Sequence, residues 1–422
     1  MEPAKNKATP KKIQLEFLKW EMGAFFHFGI RTFYEGHRDW DGKIMPLGAF
    51  NPTALSCDNW IKTSKDAGCQ YAILVCKHHD GFANWPSKYS NYHVGLTPWK
   101  DGKGDVVREF TDACRKHDLK VGLYYSPAEA GSIKRTPKEY DDYFIYQISE
   151  LLSDYGKIDY LWFDGNGSEG HGFDQQRIIK TIRGLQPEIL IFNMWDPDTR
   201  WVGNEAGVAG TDNVNQVGAI DFSTFEEKPR ELPGSRFLPS ESDFMMRDRN
   251  WFYSEYDVHT VKSVDELVGI YYYTVGCGSN FLINIGPDRR GLLPDTDAAR
   301  LTEFGAKIKS MFANPFPSKE IQTKDGIAIE FENEIFINHA ILSEDLTEGD
   351  GVEGYKLLVA NKMIHSRPVC VYTGTAIGHK RIIHFPYIRA TKLIVKVTKS
   401  NGAYRLNKPE AHLIDNSPHT AH

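Results

Sequence analysis

The sequence of 422 residues is long enough for one large domain and a smaller companion, and its 41% hydrophobic content suits an ordinary buried core. A net charge of −6 gives no attraction to nucleic acid or to an anionic membrane, so neither is expected as a partner. The six cysteines lack CxxC spacing, which argues against a disulfide framework. A polar N-terminus and the lack of any long apolar stretch predict a cytoplasmic protein.

Apolar runs alternate with amphipathic segments through the larger, N-terminal part of the chain. The first predicted strand covers residues 23–30 and contains His27 within its apolar run. Further strands are predicted at 71–76, 121–126, 159–165, 189–193 and 280–286. Because a strand reached through a helix usually runs parallel to its predecessor, this order predicts an α/β fold with a (β/α)8-like TIM barrel. Residues 194–250 follow neither pattern, so the barrel is expected to be irregular there.

Two helices carry clear start signals. Thr136 and Glu139 have the spacing of a capping box, with Pro137 at the first helical position. Ser263 and Glu266 repeat this spacing before the last strand of the series. Both signals support the alternation of helices and strands.

The run from Asp159 to Gly165 ends an apolar stretch in a carboxylate followed by glycine. It is predicted to be a buried strand that delivers Asp164 to its C-terminal tip, and the chemistry of such barrels lies at these tips. On this stretch alone a second interpretation is equally open, in which Asp164 only caps the loop that follows.

The pattern changes beyond residues 314–317. Short alternating strands, such as 327–331 and 392–397, are separated by polar turns, which is typical of a β-sandwich. We therefore predict a catalytic barrel over residues 13–313 and a β-sandwich domain over residues 318–415. The second domain either binds carbohydrate or only packs against the barrel, because a fold does not determine a function.

The predicted strand tips collect a group of polar side chains, namely His27, His78, His79, Tyr124, Asp164 and Glu205. Two chemistries are open. Histidines with a carboxylate could bind a divalent metal, or donors to sugar hydroxyls could flank the carboxylate pair of glycoside cleavage. Adjacent residues on a strand point to opposite faces, so His78 and His79 could share a metal only across a bulge. We therefore expect neither a metal nor another cofactor.

Five segments together resemble glycoside hydrolase family 29, the retaining α-L-fucosidases. They are Phe-His-Phe-Gly at 26–29, Asp-Trp at 39–40, Lys-His-His-Asp-Gly-Phe at 77–82, Gly-Leu-Tyr-Tyr-Ser at 122–126 and Leu-Trp-Phe-Asp at 161–164. The segment 77–82 is the most diagnostic of them. The resemblance implies that Asp164 is the catalytic nucleophile. The residues that it places around the fucose are His27, Asp39, Trp40, His78, His79, Tyr124 and Arg200.

The acid/base differs between branches of this family. Residues 199–207 resemble the branch that cleaves α-1,3- and α-1,4-linked fucose, and this match implies that Glu205 is the acid/base. Residues 238–243 also resemble a motif of that branch, which leaves Glu241 as a rival on chemistry alone. The resemblance implies a retaining exo-α-L-fucosidase that acts on terminal α-1,3/1,4-linked L-fucose of an oligosaccharide or glycoconjugate. A fucosidase of broad specificity and a non-catalytic fucose-binding protein are the alternatives.

Overall fold

A computed structural model describes residues 7–35, 41, 43–129, 135–364 and 367–414 of the chain. Its N-terminal part alternates helices and strands as predicted. In chain order these elements are α1 Lys12–Trp20, β1 Met22–Phe26, α2 Cys57–Asp66, β2 Tyr71–Lys77, α3 Val106–Lys116, β3 Lys120–Tyr125, α4 Pro137–Asp154, β4 Tyr160–Phe163, α5 Gln175–Leu185, β5 Leu190–Phe192, β6 Arg200–Trp201, β7 Gln216–Ile220, β8 Arg230–Phe237, β9 Ser240–Met245, α6 Val264–Tyr273, β10 Asn280–Asn284 and α7 Asp295–Phe312.

Eight of these strands form one parallel sheet, in the order β5-β4-β3-β2-β1-β10-β9-β6. A parallel bridge between Phe192 and Thr199 joins the two ends of this order, so that the sheet nearly closes into a barrel. Helix α2 contacts α3 and α7, and α4 contacts α5, around the sheet. The predicted α/β barrel is confirmed.

The irregularity of the barrel falls within residues 194–250, as predicted. The chain between β5 and β9, all of which is described, contains no helix, and β6 is only two residues long. The antiparallel hairpin β7–β8 lies in this interval instead. Its pairing was not predicted because β8 contains Pro233 and Gly234, which both disfavour a strand.

Local signals at the ends of elements agree with the structure in most places. At α4 the Glu139 N–H donates to Thr136 Oγ1 at 3.3 Å, and the Thr136 N–H donates to the Glu139 carboxylate at 2.8 Å, which confirms the capping box. Strand β1 differs from the prediction because it ends at Phe26, and residues 30–33 form a short 3₁₀ helix. His27 therefore lies just beyond the strand.

Aromatic side chains fill the interior of the barrel near its N-terminal end. Phe17 of α1 lies with its ring centroid 5.3 Å from that of Tyr160, and its carbonyl accepts a hydrogen bond from Asn280 at the start of β10. Gly23 leaves room for Tyr71, since an added Cβ would lie 2.3 Å from that ring. This end is thus filled, and the open cavity lies at the opposite end.

Beyond α7 the chain forms a second, antiparallel sheet. Its strands are β11 Lys319–Thr323, β12 Gly326–Leu342, β13 Val352–Ala360, β14 Val369–Gly374, β15 Arg381–Ser400 and β16 Glu410–His412. Irregularities in pairing divide the long strand β12, and its two parts contribute Ile329 and Ala340 to one core. The C-terminal β-sandwich of the predicted fold class is confirmed, while the limits 13–313 and 318–415 stay a prediction. No helix among the described residues combines the length and apolarity needed to cross a membrane.

Candidate active site

A cavity of about 520 Å³ opens at the C-terminal end of the barrel strands. Strands β1 to β6 and β9, the loops that follow them and the loop between β7 and β8 supply its wall. Six of the predicted site residues line it, namely His27, His78, His79, Tyr124, Asp164 and Glu205. Asp39 and Trp40, which were also predicted to bind the ligand, lie outside the described residues.

Asp164 follows directly after β4, and hydrogen bonds orient its carboxylate. The Tyr124 hydroxyl donates to Oδ2 at 2.8 Å, and the backbone N–H of Asn166 donates to Oδ1 at 2.9 Å. His79 Nε2 lies 3.5 Å from Oδ2. The bond from Asn166 caps the following turn, so both interpretations of this residue apply. Asp164 caps the loop and also presents an oriented carboxylate to the cavity.

Two buried histidines form part of the cavity wall without adding charge. Burial lowers the pKa of His27 to about 3, and its Nδ1 donates to Oδ1 of Asn284 at 2.7 Å. Burial also lowers the pKa of His78 well below its usual value, and its ring stacks on that of Tyr124 with centroids 5.2 Å apart. Because the N–H of neutral His27 is used by Asn284, its Nε2 is left as an acceptor, which suits a hydroxyl of a polyhydroxylated ligand.

His78 and His79 do not point to opposite faces, because an irregularity of the kind named as the exception precedes them. Strand β2 ends at Lys77, and its pairing with β3 shifts register between Val75 and Lys77. Both rings therefore turn toward the cavity, with centroids 4.2 Å apart. One potential ligand atom each from His78, His79 and Asp164 lie within 4.8 Å of one another. Geometry thus does not exclude a metal here, and the expectation that none is used stays a prediction.

Glu205 lies at the mouth of the cavity, in the loop after β6. Although much of its side chain is exposed, burial on the cavity side raises the pKa of its carboxyl, and the negative charge of Asp164 adds to this shift. A hydrogen bond from Trp251 acts in the opposite direction. Asp164 and Glu205 thus line the same cavity in different surroundings, an arrangement that can separate a proton donor from an ionised carboxylate.

Glu241, the rival for the acid/base role, lies inside the barrel and is not among the described residues that line the cavity. It is 1% exposed and accepts hydrogen bonds from the Tyr71 hydroxyl at 2.6 Å and Trp162 Nε1 at 2.7 Å. Burial raises its pKa to about 7, although these hydrogen bonds oppose the shift. Its position fits a structural group better than a group that transfers protons to a ligand.

Arg200 does not reach the cavity, contrary to the role that the resemblance implied. Neighbouring residues on a strand point to opposite faces, and on β6 it is Trp201 that faces the interior. The Arg200 guanidinium donates instead to Asn213 Oδ1 at 2.6 Å and to the Val214 carbonyl at 3.0 Å. Burial there lowers the pKa of Arg200 to about 10.

Asp243 lines the cavity but was not singled out from the sequence. It is 4% exposed, and its Oδ1 accepts a hydrogen bond from Trp201 Nε1 at 2.7 Å. Burial, with the charge of Glu205 adding to it, raises the pKa of Asp243 well above its usual value. Strand alternation could have identified it, because Asp243 follows the inward-facing Glu241 by two residues on β9 and therefore faces the same side.

Comparison with known proteins identifies the family. The family model described as "Alpha-L-fucosidase" matches residues 46–311, which is more than half of the chain. The chain belongs to the α-L-fucosidase family. Alpha-L-fucosidase 1 of Arabidopsis thaliana is 30% identical over 439 residues, which cover 93% of this chain and 85% of that protein. Plasma alpha-L-fucosidase of Homo sapiens is 27% identical over 281 residues, which cover 62% and 55% of the two chains.

A solved structure extends this similarity to the fold. It is that of a glycoside hydrolase 29 family member from an unknown rumen bacterium, with 31% sequence identity and a TM-score of 0.87. The match covers 98% of this chain and 78% of that chain. The predicted family and enzyme class, a glycoside hydrolase of the α-L-fucosidase family, are confirmed.

Replacement of Glu241 by glutamine should change how stability depends on pH. The pKa of Glu241 is about 7 when folded and 4.5 when unperturbed, so its contribution to stability is complete below the lower value and is lost as pH rises through 7. Glutamine does not titrate. Between about pH 5 and about pH 8, the free energy of unfolding of E241Q should therefore rise relative to the unaltered protein by on the order of 2 kcal/mol.

Urea unfolding at several pH values measures this difference. Glu332→Gln, at an exposed position, is the matched control and should follow the unaltered protein at every pH. Parallel stability curves for E241Q and the unaltered protein would contradict the burial of an ionisable Glu241.

Proposed function

We propose that this chain is a retaining exo-α-L-fucosidase in which Asp164 is the nucleophile and Glu205 is the acid/base. The observation that carries the proposal is the placement of two unlike acids on one cavity. The carboxylate of Asp164 is held by Tyr124 and Asn166, while burial and the charge of Asp164 raise the pKa of Glu205. Such a pair is the machinery of glycoside cleavage in retaining enzymes.

In the first step Asp164 attacks the anomeric carbon of the fucose and forms a glycosyl ester. The bond from that carbon to the leaving oxygen breaks, and Glu205 gives its proton to this oxygen. In the second step Glu205, now ionised, takes a proton from a water molecule that attacks the same carbon and releases Asp164. Two inversions leave the anomeric configuration of the fucose unchanged, and no cofactor takes part.

The electrostatics of the cavity suit Glu205 to both steps. The negative charge of Asp164 contributes to the raised pKa of Glu205, so Glu205 is favoured in its protonated form before the first step. Formation of the ester removes that charge. The pKa of Glu205 should then fall, which favours the ionised form needed to activate water.

The cavity wall has the chemical character that a 6-deoxy sugar needs. Neutral His27 and His78 offer polar groups to hydroxyls, while the rings of Phe25, Trp162 and Trp251 supply apolar surface. Aromatic rings pack favourably against the C–H faces of a sugar. These features support L-fucose as the bound unit and a fucosylated oligosaccharide or glycoconjugate as the substrate.

Azide rescue should identify the acid/base. Glu205→Ala should lower turnover of an unactivated fucoside by about 10²- to 10⁴-fold, because the leaving oxygen loses its proton donor. With an activated aryl fucoside the first step no longer needs that proton, and azide should restore turnover by replacing the activated water. The measurement is the rate with and without azide, with identification of the fucosyl azide formed.

Glu241→Ala and Asp243→Ala are the matched comparisons, since both remove a buried carboxyl from β9. Neither should respond to azide. Rescue of one of these variants, together with no rescue of Glu205→Ala, would assign the acid/base role elsewhere.

We further propose that the enzyme prefers α-1,3- and α-1,4-linked fucose, because residues 199–207 resemble the branch of the family with this preference. A Lewis-type trisaccharide should give a higher kcat/KM than an α-1,2-fucosyllactose, by about tenfold or more if one well-placed contact to the branched sugar is involved. Comparison of the two kcat/KM values tests this. Equal or reversed values would remove the linkage preference and leave fucosidase activity unaffected.

A further inference from the structure

One large apolar side chain at the mouth of the cavity is exposed. Phe225 lies in the loop between β7 and β8, is 74% exposed and also lines the cavity that contains Asp164 and Glu205. The other large hydrophobic residues exposed in the described ranges, such as Tyr256 at 73%, do not line this cavity. Exposure of an aromatic ring at a ligand cavity indicates a surface that a ligand covers.

Close packing joins the loop of Phe225 to the loop of Asp164. A Cβ added at Gly165 would lie 1.8 Å from the carbonyl oxygen of Phe222, so only glycine allows this approach. Phe222 itself is buried, and the Arg230 guanidinium covers its ring. The buried Phe222 therefore anchors the loop that carries the exposed ring of Phe225.

Hydrogen bonds through Asn166 make a second connection between the two loops. Its side-chain oxygen accepts from the Ser223 hydroxyl at 2.7 Å and from the Thr224 N–H at 2.9 Å. The backbone N–H of the same residue donates to Asp164 at 2.9 Å. The Phe225 N–H in turn donates to Ser223 Oγ at 3.1 Å. The position of Phe225 is thus set relative to the nucleophile.

We propose that Phe225 is the stacking surface for the sugar that carries the fucose, a role that rests on the function proposed above. The acid/base must reach the oxygen between the two sugars, so the second sugar lies on the side of the cavity where Glu205 stands. Phe225 lines the same cavity as Glu205, and it is the large hydrophobic residue, among those described, that lines this cavity and is also exposed. A pyranose ring can place its C–H face on such a ring.

The test compares two substrates that share the fucose and differ beyond it. A fucosylated trisaccharide has a second sugar, whereas α-L-fucosyl fluoride has a leaving group without a ring. Phe225→Ala should lower kcat/KM for the trisaccharide by about threefold to tenfold and leave that for the fluoride unchanged. Phe225→Trp should retain the trisaccharide activity, and Tyr256→Ala should leave both values unchanged.

Two results would overturn the role of Phe225. They are an equal loss on both substrates and unchanged kcat/KM for both substrates in Phe225→Ala. If the unaltered protein hydrolysed neither substrate, the proposed function itself would fail together with this inference. The first two results concern Phe225 alone, because they presuppose activity in the unaltered protein.

Discussion

One buried carboxyl, Glu241, and the aromatic side chains around it form the part of the barrel interior on which the active-site residues pack. Glu241 is carried by β9 and accepts hydrogen bonds from Tyr71 of β2 and Trp162 of β4, so it links three strands across the barrel interior. The Trp162 ring stacks on Tyr124 with centroids 5.3 Å apart, and the Tyr124 hydroxyl donates to Asp164. The orientation of Asp164, the proposed nucleophile, therefore depends on contacts that begin in the core.

The same cavity separates the properties of its acids by their surroundings. Donors hold Asp164, while burial raises the pKa values of Glu205 and Asp243. A retaining mechanism needs two acids in different protonation states, because one acid must attack as a carboxylate while another still carries its proton. Asn166, by a hydrogen bond, and Gly165, by close packing, connect the loop of Asp164 to the loop between β7 and β8, where the second sugar is expected.

Much of this arrangement could be predicted from the sequence because parallel strands bring their tips to one end. An apolar run that ends in Asp164 and another that contains His27 predicted strands whose tips meet at one end, and both residues line the cavity. Arg200 was assigned to the pocket by resemblance alone, and the two-residue strand β6 offers no alternation against which its direction could be checked. Asp243 was missed because attention fell on Glu241, two residues earlier on the same strand. Phe225 was missed because it lies in a hairpin whose second strand has a sequence that disfavours strands.

The central claim is that Asp164 forms a covalent bond to the sugar. It can be tested most directly with a fucosyl donor whose second step is slow, such as a 2-deoxy-2-fluoro derivative, followed by digestion and mass spectrometry of the peptides. One added fluorofucosyl group per chain is expected on the peptide that contains Asp164, and no addition is expected in Asp164→Ala. An adduct on another residue, or turnover with inverted configuration and no adduct, would contradict it.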